Sequence, residues 1–247
     1  MTLSSFFREH PRAAVAFSGG ADSAYLLYAA EQCGAEVHAY YVKTEFQPRF
    51  ELEDAARLTR ELEIPLHVLE ACALCSEPVA ENPPDRCYHC KRLIFRTITR
   101  AARDDGFSLL LDGTNASDDA GDRPGMRALR ELSVRSPLRE CGLTKDEIRR
   151  LSREAGLFTW DKPAYACLAT RIPTGEKITP EKLRATEAAE DFLFSLGFSD
   201  FRVRQSDGVA RIQLPEGQLG RLIEHRKEIV TELRRYYRAV LLDMEVR

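Results

Sequence analysis

The sequence predicts an α/β fold, a parallel sheet with helices on both faces, followed by a small C-terminal α+β domain. Three observations carry this. Over residues 13–112, short apolar runs alternate with segments of helical period, the rhythm of right-handed β-α-β crossovers. A glycine-rich turn joins the first apolar run directly to the first of these helices. Beyond Gly175 the order changes to α-β-β-α-β, which suits a separate unit. Residues 1–174 are therefore expected to form one domain and residues 175–247 a second, smaller one.

The first run, Ala13-Ala14-Val15-Ala16-Phe17, reads as a short buried strand because it contains no polar residue. Ser18-Gly19-Gly20 ends it, and Asp22 to Ala30 has helical spacing. Val37 to Val42 is a second strand. Glu51 to Leu62 is a helix, with Pro65 beyond its end. Leu66 to Leu69 is a third strand, and Ser76–Arg86, with its three prolines, a loop. Cys87 to Arg103 reads as a helix, and Ser108 to Asp112 as a fourth strand running into Gly113-Thr114-Asn115. Ala116–Gly125 is rich in turn formers and reads as a loop. Thr144 to Ala155 is a helix, Thr144 and Glu147 forming a capping box at its start. Lys162–Pro173 has neither period and reads as a loop. In the second domain Pro180–Leu196 is a helix. The strands Phe201–Arg204 and Gly208–Leu214 turn at Asp207-Gly208. Glu216–Tyr236 is a longer helix and Ala239–Val246 the final strand.

Composition excludes several function classes. The 247 residues include 36 Lys plus Arg and 39 Asp plus Glu, for a net charge of −3, and 44% are hydrophobic. From Gly175 onward there are 13 basic and 13 acidic residues, against 23 and 26 before it. Neither part has the basic excess of a dedicated nucleic-acid binder. No stretch approaches the roughly 18 apolar residues that span a bilayer. The first ten residues lack the basic and apolar regions of an export signal, so a cytoplasmic location is expected. The seven cysteines are Cys33, Cys72, Cys75, Cys87, Cys90, Cys141 and Cys167. An odd number argues against a disulfide framework, whereas two C-x-x-C pairs point to metal or sulfur chemistry.

Strand, Ser18-Gly19-Gly20-Ala21-Asp22-Ser23, then helix is a phosphate-binding order. Glycines let the backbone approach an anion closely, and the helix start offers unpaired N–H groups and the positive end of its dipole. Ser18 and Ser23 supply hydroxyls, and Asp22 can help hold the Mg²⁺ that accompanies a nucleoside triphosphate. Neither the Walker pattern nor G-x-G-x-x-G occurs. The Ser-Gly-Gly-x-Asp-Ser loop resembles that of the PP-loop ATP pyrophosphatases, whose adenine nucleotide α-hydrolase-like fold the element order matches. That resemblance implies cleavage of ATP to AMP and pyrophosphate, with adenylylation of a substrate oxygen.

Three further stretches narrow the resemblance: Asn82-Pro83-Pro84-Asp85-Arg86-Cys87-Tyr88-His89-Cys90-Lys91-Arg92, Asp112-Gly113-Thr114-Asn115, and Lys162 through Pro173. With Arg202-Val203-Arg204 and Ala210 through Pro215, they span nearly the whole chain. Together they resemble the LarE family, sulfur transferases that build the nickel-pincer nucleotide of lactate racemase. The resemblance implies an ATP-activated pyridinium biscarboxylate mononucleotide converted to a thiocarboxylate, and a homo-oligomeric protein. It places Gly113 with Ser18, Gly19, Gly20, Asp22 and Ser23 at ATP, and Lys91, Arg171, Arg202 and Arg204 at the substrate.

Cys167 aligns with the family's sulfur-donating cysteine. Adenylylation makes a carboxylate electrophilic, a thiolate attacks, and Lys162 and Arg171 are expected to favour that thiolate. Breaking the Cβ–S bond would leave dehydroalanine. Members that carry the Cys87/Cys90 pair resemble a cluster-dependent branch. There Cys87, Cys90 and Cys167 would hold a [4Fe–4S] centre, and a sulfide on its open iron would be the donor. Two alternatives stand beside it: a four-cysteine Zn²⁺ site from Cys72, Cys75, Cys87 and Cys90, and no metal at all. Cys33 and Cys141 are expected to be packing residues. Gln213 and Arg221 stand where a well-known family member has acidic residues, which removes the basis for a second metal site there. Two rival functions remain: a PP-loop tRNA thiolase, against which the balanced charge argues, and a non-catalytic nucleotide- and iron-binding carrier.

Overall fold

A computed structural model describes residues 1–118 and 124–245. Positions 119–123, inside the expected loop, and Val246, at the end of the expected last strand, lie outside the described residues. In chain order the elements are α1 (Leu3–Glu9), β1 (Arg12–Ala16), α2 (Ala21–Gln32), β2 (Glu36–Lys43), α3 (Arg49–Glu61), β3 (Leu66–Glu70), α4 (Glu77–Ala80), α5 (Arg86–Asp104), β4 (Leu110–Asp112), α6 (Pro124–Glu131), α7 (Pro137–Glu140) and α8 (Lys145–Glu154). A 3₁₀ turn at Leu168–Arg171 precedes α9 (Pro180–Ser195), β5 (Arg202–Ser206), β6 (Val209–Gln213), α10 (Leu219–Glu224), α11 (Arg226–Leu233) and β7 (Ala239–Leu242).

The chain forms two compact units, Met1–Ala73 with Asp85–Lys162, and Leu74–Pro84 with Pro163–Arg247. The sequence puts the boundary near residue 175, whereas the units part at Lys162/Pro163. Residues 74–84 also group with the C-terminal part, for a local reason. Ile178 N–H donates to Ala80 O at 2.8 Å and Gly175 N–H to Asn82 O at 2.8 Å. The buried Asn82 amide donates to Pro173 O at 2.7 Å and Glu176 O at 3.2 Å.

In the first unit the sheet order is β3-β2-β1-β4, and every pair is parallel. Successive side chains of a strand point to opposite faces, and the cores obey this. Ala13, Val15, Val37, Ala39 and Tyr41 join Phe6, Leu26, Leu27 and Leu58 on one face. Ala14, Tyr40 and Val42 join Phe95, Ile98 and Leu129 on the other. Helices on both faces of a parallel sheet are consistent with the PP-loop α/β fold that the resemblance implied. Its switch point lies between β1 and β4, and such sheets bind ligands outside the carboxyl ends of their strands at that point.

In the second unit the order is β5-β6-β7. β5 and β6 form an antiparallel hairpin through Asp207 and Gly208, both at positive φ as a tight two-residue turn requires. β7 returns parallel to β6 after α10 and α11. Its core is Leu193, Phe198, Phe201, Val203, Ile212 and Leu233, with neighbours.

Three differences from the expectation stand out. α1 starts at a capping box in which Thr2 pairs with Ser5, and it buries Phe6 and Phe7. α6 begins at Pro124 within the turn-rich stretch, where proline's fixed φ suits a helix start. The expected helix 216–236 is broken at His225 into α10 and α11.

Candidate active site

At the carboxyl end of β1 the chain makes the expected turn. Gly19 has φ +75°, and a Cβ there would lie 2.8 Å from Glu51 O at the start of α3. Only glycine fits both constraints. Gly20 caps α2 without a side-chain hydrogen bond, so the first N–H groups of this 12-residue helix remain available to an anion. The two serines shape the loop. Their Oγ atoms are 3.1 Å apart, and Ser23 Oγ donates to Gly20 O at 3.2 Å. Ser23 is buried and Ser18 exposed, so Ser18 is the hydroxyl better placed to meet a ligand.

Gly113 follows β4, across the switch point. A Cβ on it would lie 2.8 Å from Ser23 N and 2.9 Å from Ser23 Cα. Its first role is thus to let the β4 loop press against the start of α2. Two residues on, Asn115 is buried and forms an Asx turn, accepting Ser117 N–H at 2.8 Å. The Asn115 side chain also favours the charged form of Asp22. Burial pushes the Asp22 carboxyl up; Lys145 opposes this, Asp118 adds to it, and Asn115 and Arg149 also oppose it. A partly desolvated carboxylate facing a second carboxylate is an arrangement that a hard divalent cation relieves. Asp118 and Asn115 were not among the sequence candidates; the Asp-Gly-Thr-Asn-x-x-Asp spacing was the available signal.

Lys162 also belongs to this region. Its Nζ donates to Gly19 O at 3.1 Å and pairs with Asp54 at 2.6 Å. The sequence expects it to favour the thiolate of Cys167; the structure pairs its charge with Asp54 beside the phosphate loop.

Cys87 lies in the first turn of α5 and Cys90 just after it, the former exposed and the latter half-buried, neither in a disulfide. Arg86 Nη2 lies 3.6 Å from Cys87 Sγ. Lys91, expected at the substrate, packs its chain along the start of α6, where a Cβ on Gly125 would touch its Cδ at 3.0 Å. Among the described residues no group of three or more His, Cys, Asp and Glu is gathered to hold a metal. In this structure Cys72 and Cys75 are disulfide-bonded, and a four-cysteine Zn²⁺ site would require that pair to be reduced first. Cys33 is exposed at the end of α2 rather than packed. Cys141 packs on the core as expected, and burial raises its thiol pKa.

In the second unit Cys167 is a half-buried thiol that caps the 3₁₀ turn. Three arginines brace its loop. Arg171 donates to Ala166 O at 2.7 Å and makes a two-pronged pair with Glu190, at 2.8 and 3.0 Å. Burial opposes the Arg171 charge, and the Glu190 hydrogen bonds outweigh it, holding the guanidinium pKa above its ordinary value. At 1% exposure and paired with Glu190, Arg171 holds the loop, and it also borders the cleft that Arg204 lines. Arg202 and Arg204 do share one face of β5, since Val203 between them is in the core. Arg202 is buried, donates to Ala164 O and stacks over Tyr165, so it too holds the loop. Arg204 donates to Thr170 O at 3.1 Å and lines a cleft of about 450 Å³ together with Thr170, Pro173, Ser206 and Arg211. A cleft of this size takes a small ligand.

Comparison with known proteins places this geometry. The family model for "Queuosine biosynthesis protein QueC" matches residues 12–77, from β1 through the phosphate loop to the start of α4. An uncharacterized protein of Synechocystis is 35% identical over 98% of this chain and 92% of its own. Pyridinium-3,5-bisthiocarboxylic acid mononucleotide synthase of Lactiplantibacillus plantarum is 32% identical over 98% of this chain and 89% of its own. The chain belongs to the LarE family. A tRNA-specific 2-thiouridylase of Clostridium botulinum is 26% identical over 60% of this chain and 51% of its own. LarE and that thiolase share the PP-loop superfamily, and the LarE match alone among these named enzymes reaches through the second unit. The LarE-family chain is thus an ATP-dependent enzyme of the sulfur-transferase type. Among its described residues no helix is long and apolar enough to cross a membrane.

Proposed function

We propose that this LarE-family enzyme adenylylates a carboxylate of pyridinium-3,5-biscarboxylic acid mononucleotide and converts it to a thiocarboxylate, a step toward the nickel-pincer cofactor. The observation that carries this reading is the Cys167 loop. A thiol sits on a turn braced by Arg171 and Arg202, in the same unit as a cleft lined by Arg204 and Arg211. The phosphate loop holds ATP, with Mg²⁺ beside Asp22 and Asp118 and Lys162 on the phosphate side. The substrate carboxylate attacks the α-phosphorus, forming the acyl adenylate and releasing pyrophosphate. Sulfur attack then expels AMP. Arg204 and Arg211 receive the mononucleotide phosphate, a natural partner for guanidinium forks, and the smaller unit thereby contributes to substrate binding; a role for it in assembling a homo-oligomer is the family's expectation.

Two sulfur sources fit this chemistry. Cys87, Cys90 and Cys167 all carry thiols, the ligand type that an iron–sulfur centre takes. We infer that they hold a [4Fe–4S] cluster, which would supply an open iron able to carry the sulfide that is transferred. The alternative uses Cys167 alone: its thiolate forms a thioester, and loss of the Cβ–S bond leaves thiocarboxylate and dehydroalanine. The cluster reading is preferred because the pair on α5 has no task in the single-cysteine route. The test is anaerobic reconstitution with iron and sulfide. The cluster reading expects a brown protein that turns over repeatedly with sulfide, and a Cys87→Ala variant that loses colour and sulfur transfer yet binds ATP. A colourless protein with dehydroalanine at position 167 after one turnover assigns the sulfur to Cys167 alone.

A further inference from the structure

Cys72 and Cys75 have no place in the sulfur chemistry above. We propose that they form a thiol–disulfide exchange site that a soluble dithiol reduces and its cyclic disulfide reoxidises. Both are disulfide-bonded and both are exposed, whereas the other five cysteines stand outside any disulfide. Exposed disulfides belong to the labile, exchangeable class.

The surroundings of Cys72 serve both oxidation states. Cys72 follows β3 by two residues, and Glu45 follows β2 by two, at the carboxyl edge of the parallel sheet. Glu45 Oε2 accepts the N–H of Ala73 at 2.8 Å, and Ala73 is itself fully buried. That bond anchors the segment in either state. Glu45 Oε1 lies 3.2 Å from Cys72 Sγ. A disulfide sulfur has no hydrogen to donate, so this contact becomes a hydrogen bond only once Cys72 is a thiol. The carboxylate is thus placed to receive a proton donor that reduction creates.

The exchange balances without a further reagent. A thiolate of the dithiol attacks one sulfur, the protein S–S bond breaks, and a mixed disulfide forms. The second thiol of the reductant then displaces the remaining protein thiolate. Two electrons pass to the protein, both cysteines gain protons, and the reductant leaves as a cyclic disulfide. Glu45 also sets the rate, because its negative charge repels the attacking thiolate. Removing one charge near 4 Å in a water-like medium changes such a rate by about fivefold.

The test uses the intact native protein in buffers of graded reduced and oxidised dithiothreitol. Samples are quenched in acid, alkylated, and the peptide carrying positions 72 and 75 is weighed. The proposal expects this peptide to pass reversibly between a paired form and a doubly alkylated form, with the other five cysteines alkylated throughout. A pair that resists excess dithiothreitol in the native protein, or is fully alkylated even in oxidised buffer, overturns it. Glu45→Gln, which keeps an oxygen for Ala73, should accelerate native-state reduction about fivefold. An unchanged rate would remove Glu45 from the site. These readouts require neither ATP nor a cluster, so they stand apart from the sulfur-transfer reading.

Discussion

Replacing Glu190 by glutamine removes one charge from the centre of the second unit. The Glu190 carboxylate is 1% exposed and accepts from Arg171 Nε at 2.8 Å, Arg171 Nη2 at 3.0 Å, Val203 N–H at 2.8 Å and the Tyr165 hydroxyl. An amide in its place turns a donor toward the guanidinium in either orientation, and leaves the Arg171 charge buried without a counterion. Removing one partner of a buried pair typically costs about 3–5 kcal/mol. For a chain of this size each kcal/mol lowers the melting temperature by about 2–4 °C, so a fall of about 6 °C or more is expected. Urea unfolding followed by circular dichroism measures the loss, and hydrogen exchange at the Val203 amide localises it. Arg171→Lys keeps the charge but loses the fork, and should give a smaller loss in the same assay. If either variant kept wild-type stability and instead raised the substrate KM, Arg171 would be a ligand and the structural assignment would fail.

Other outcomes follow from the same geometry. Asp22→Asn should abolish pyrophosphate release while raising the melting temperature at neutral pH, because it removes a carboxylate that burial disfavours in charged form. The sign follows from the raised folded-state pKa: the Asp22 contribution is fully present below the ordinary aspartate range and is lost as pH rises through the folded value. The stability gain of the Asp22→Asn variant should therefore shrink on acidification, and a thermal scan across pH checks this. Gly113→Ala drives a methyl against the Ser23 backbone and should cost about 1–3 kcal/mol in urea unfolding, with weaker ATP turnover. Arg204→Ala should raise the substrate KM roughly tenfold to a hundredfold at nearly constant ATP affinity, the range of charge-assisted hydrogen bonds. Arg202→Ala, by contrast, should appear mainly as lost stability.

The phosphate loop was legible because its chemistry is local: Ser18 to Ser23 are consecutive, and the glycines are required by backbone geometry that nearby residues impose. The sheet was legible through its continuous apolar runs, and the Thr144 cap through a four-residue pattern that the structure reproduces with Glu147. What the sequence could not show depends on pairing at a distance. Arg171 reads as an available cation until Glu190, nineteen residues on, is seen to neutralise it. Arg202 and Arg204 share a face as their spacing requires, yet only the packing of the Cys167 loop buries one and leaves the other at the cleft. Lys162 joins the phosphate loop across more than a hundred residues of chain, which no spacing rule reveals. Short helices such as α1 and α7 fall below the length at which a helical period can be recognised, and tertiary burial decides them.

The central claim is that ATP cleavage at the phosphate loop activates a carboxylate for sulfur transfer. The direct measurement is a single reaction of the anaerobically reconstituted protein with Mg²⁺-ATP, sulfide and pyridinium-3,5-biscarboxylic acid mononucleotide, with nucleotides and products resolved by mass spectrometry. The account predicts AMP and pyrophosphate in equal amounts, matched by a product in which sulfur replaces one carboxylate oxygen, and neither with the Asp22→Asn variant. ADP with phosphate, or AMP formed without any sulfur entering the substrate, would contradict it.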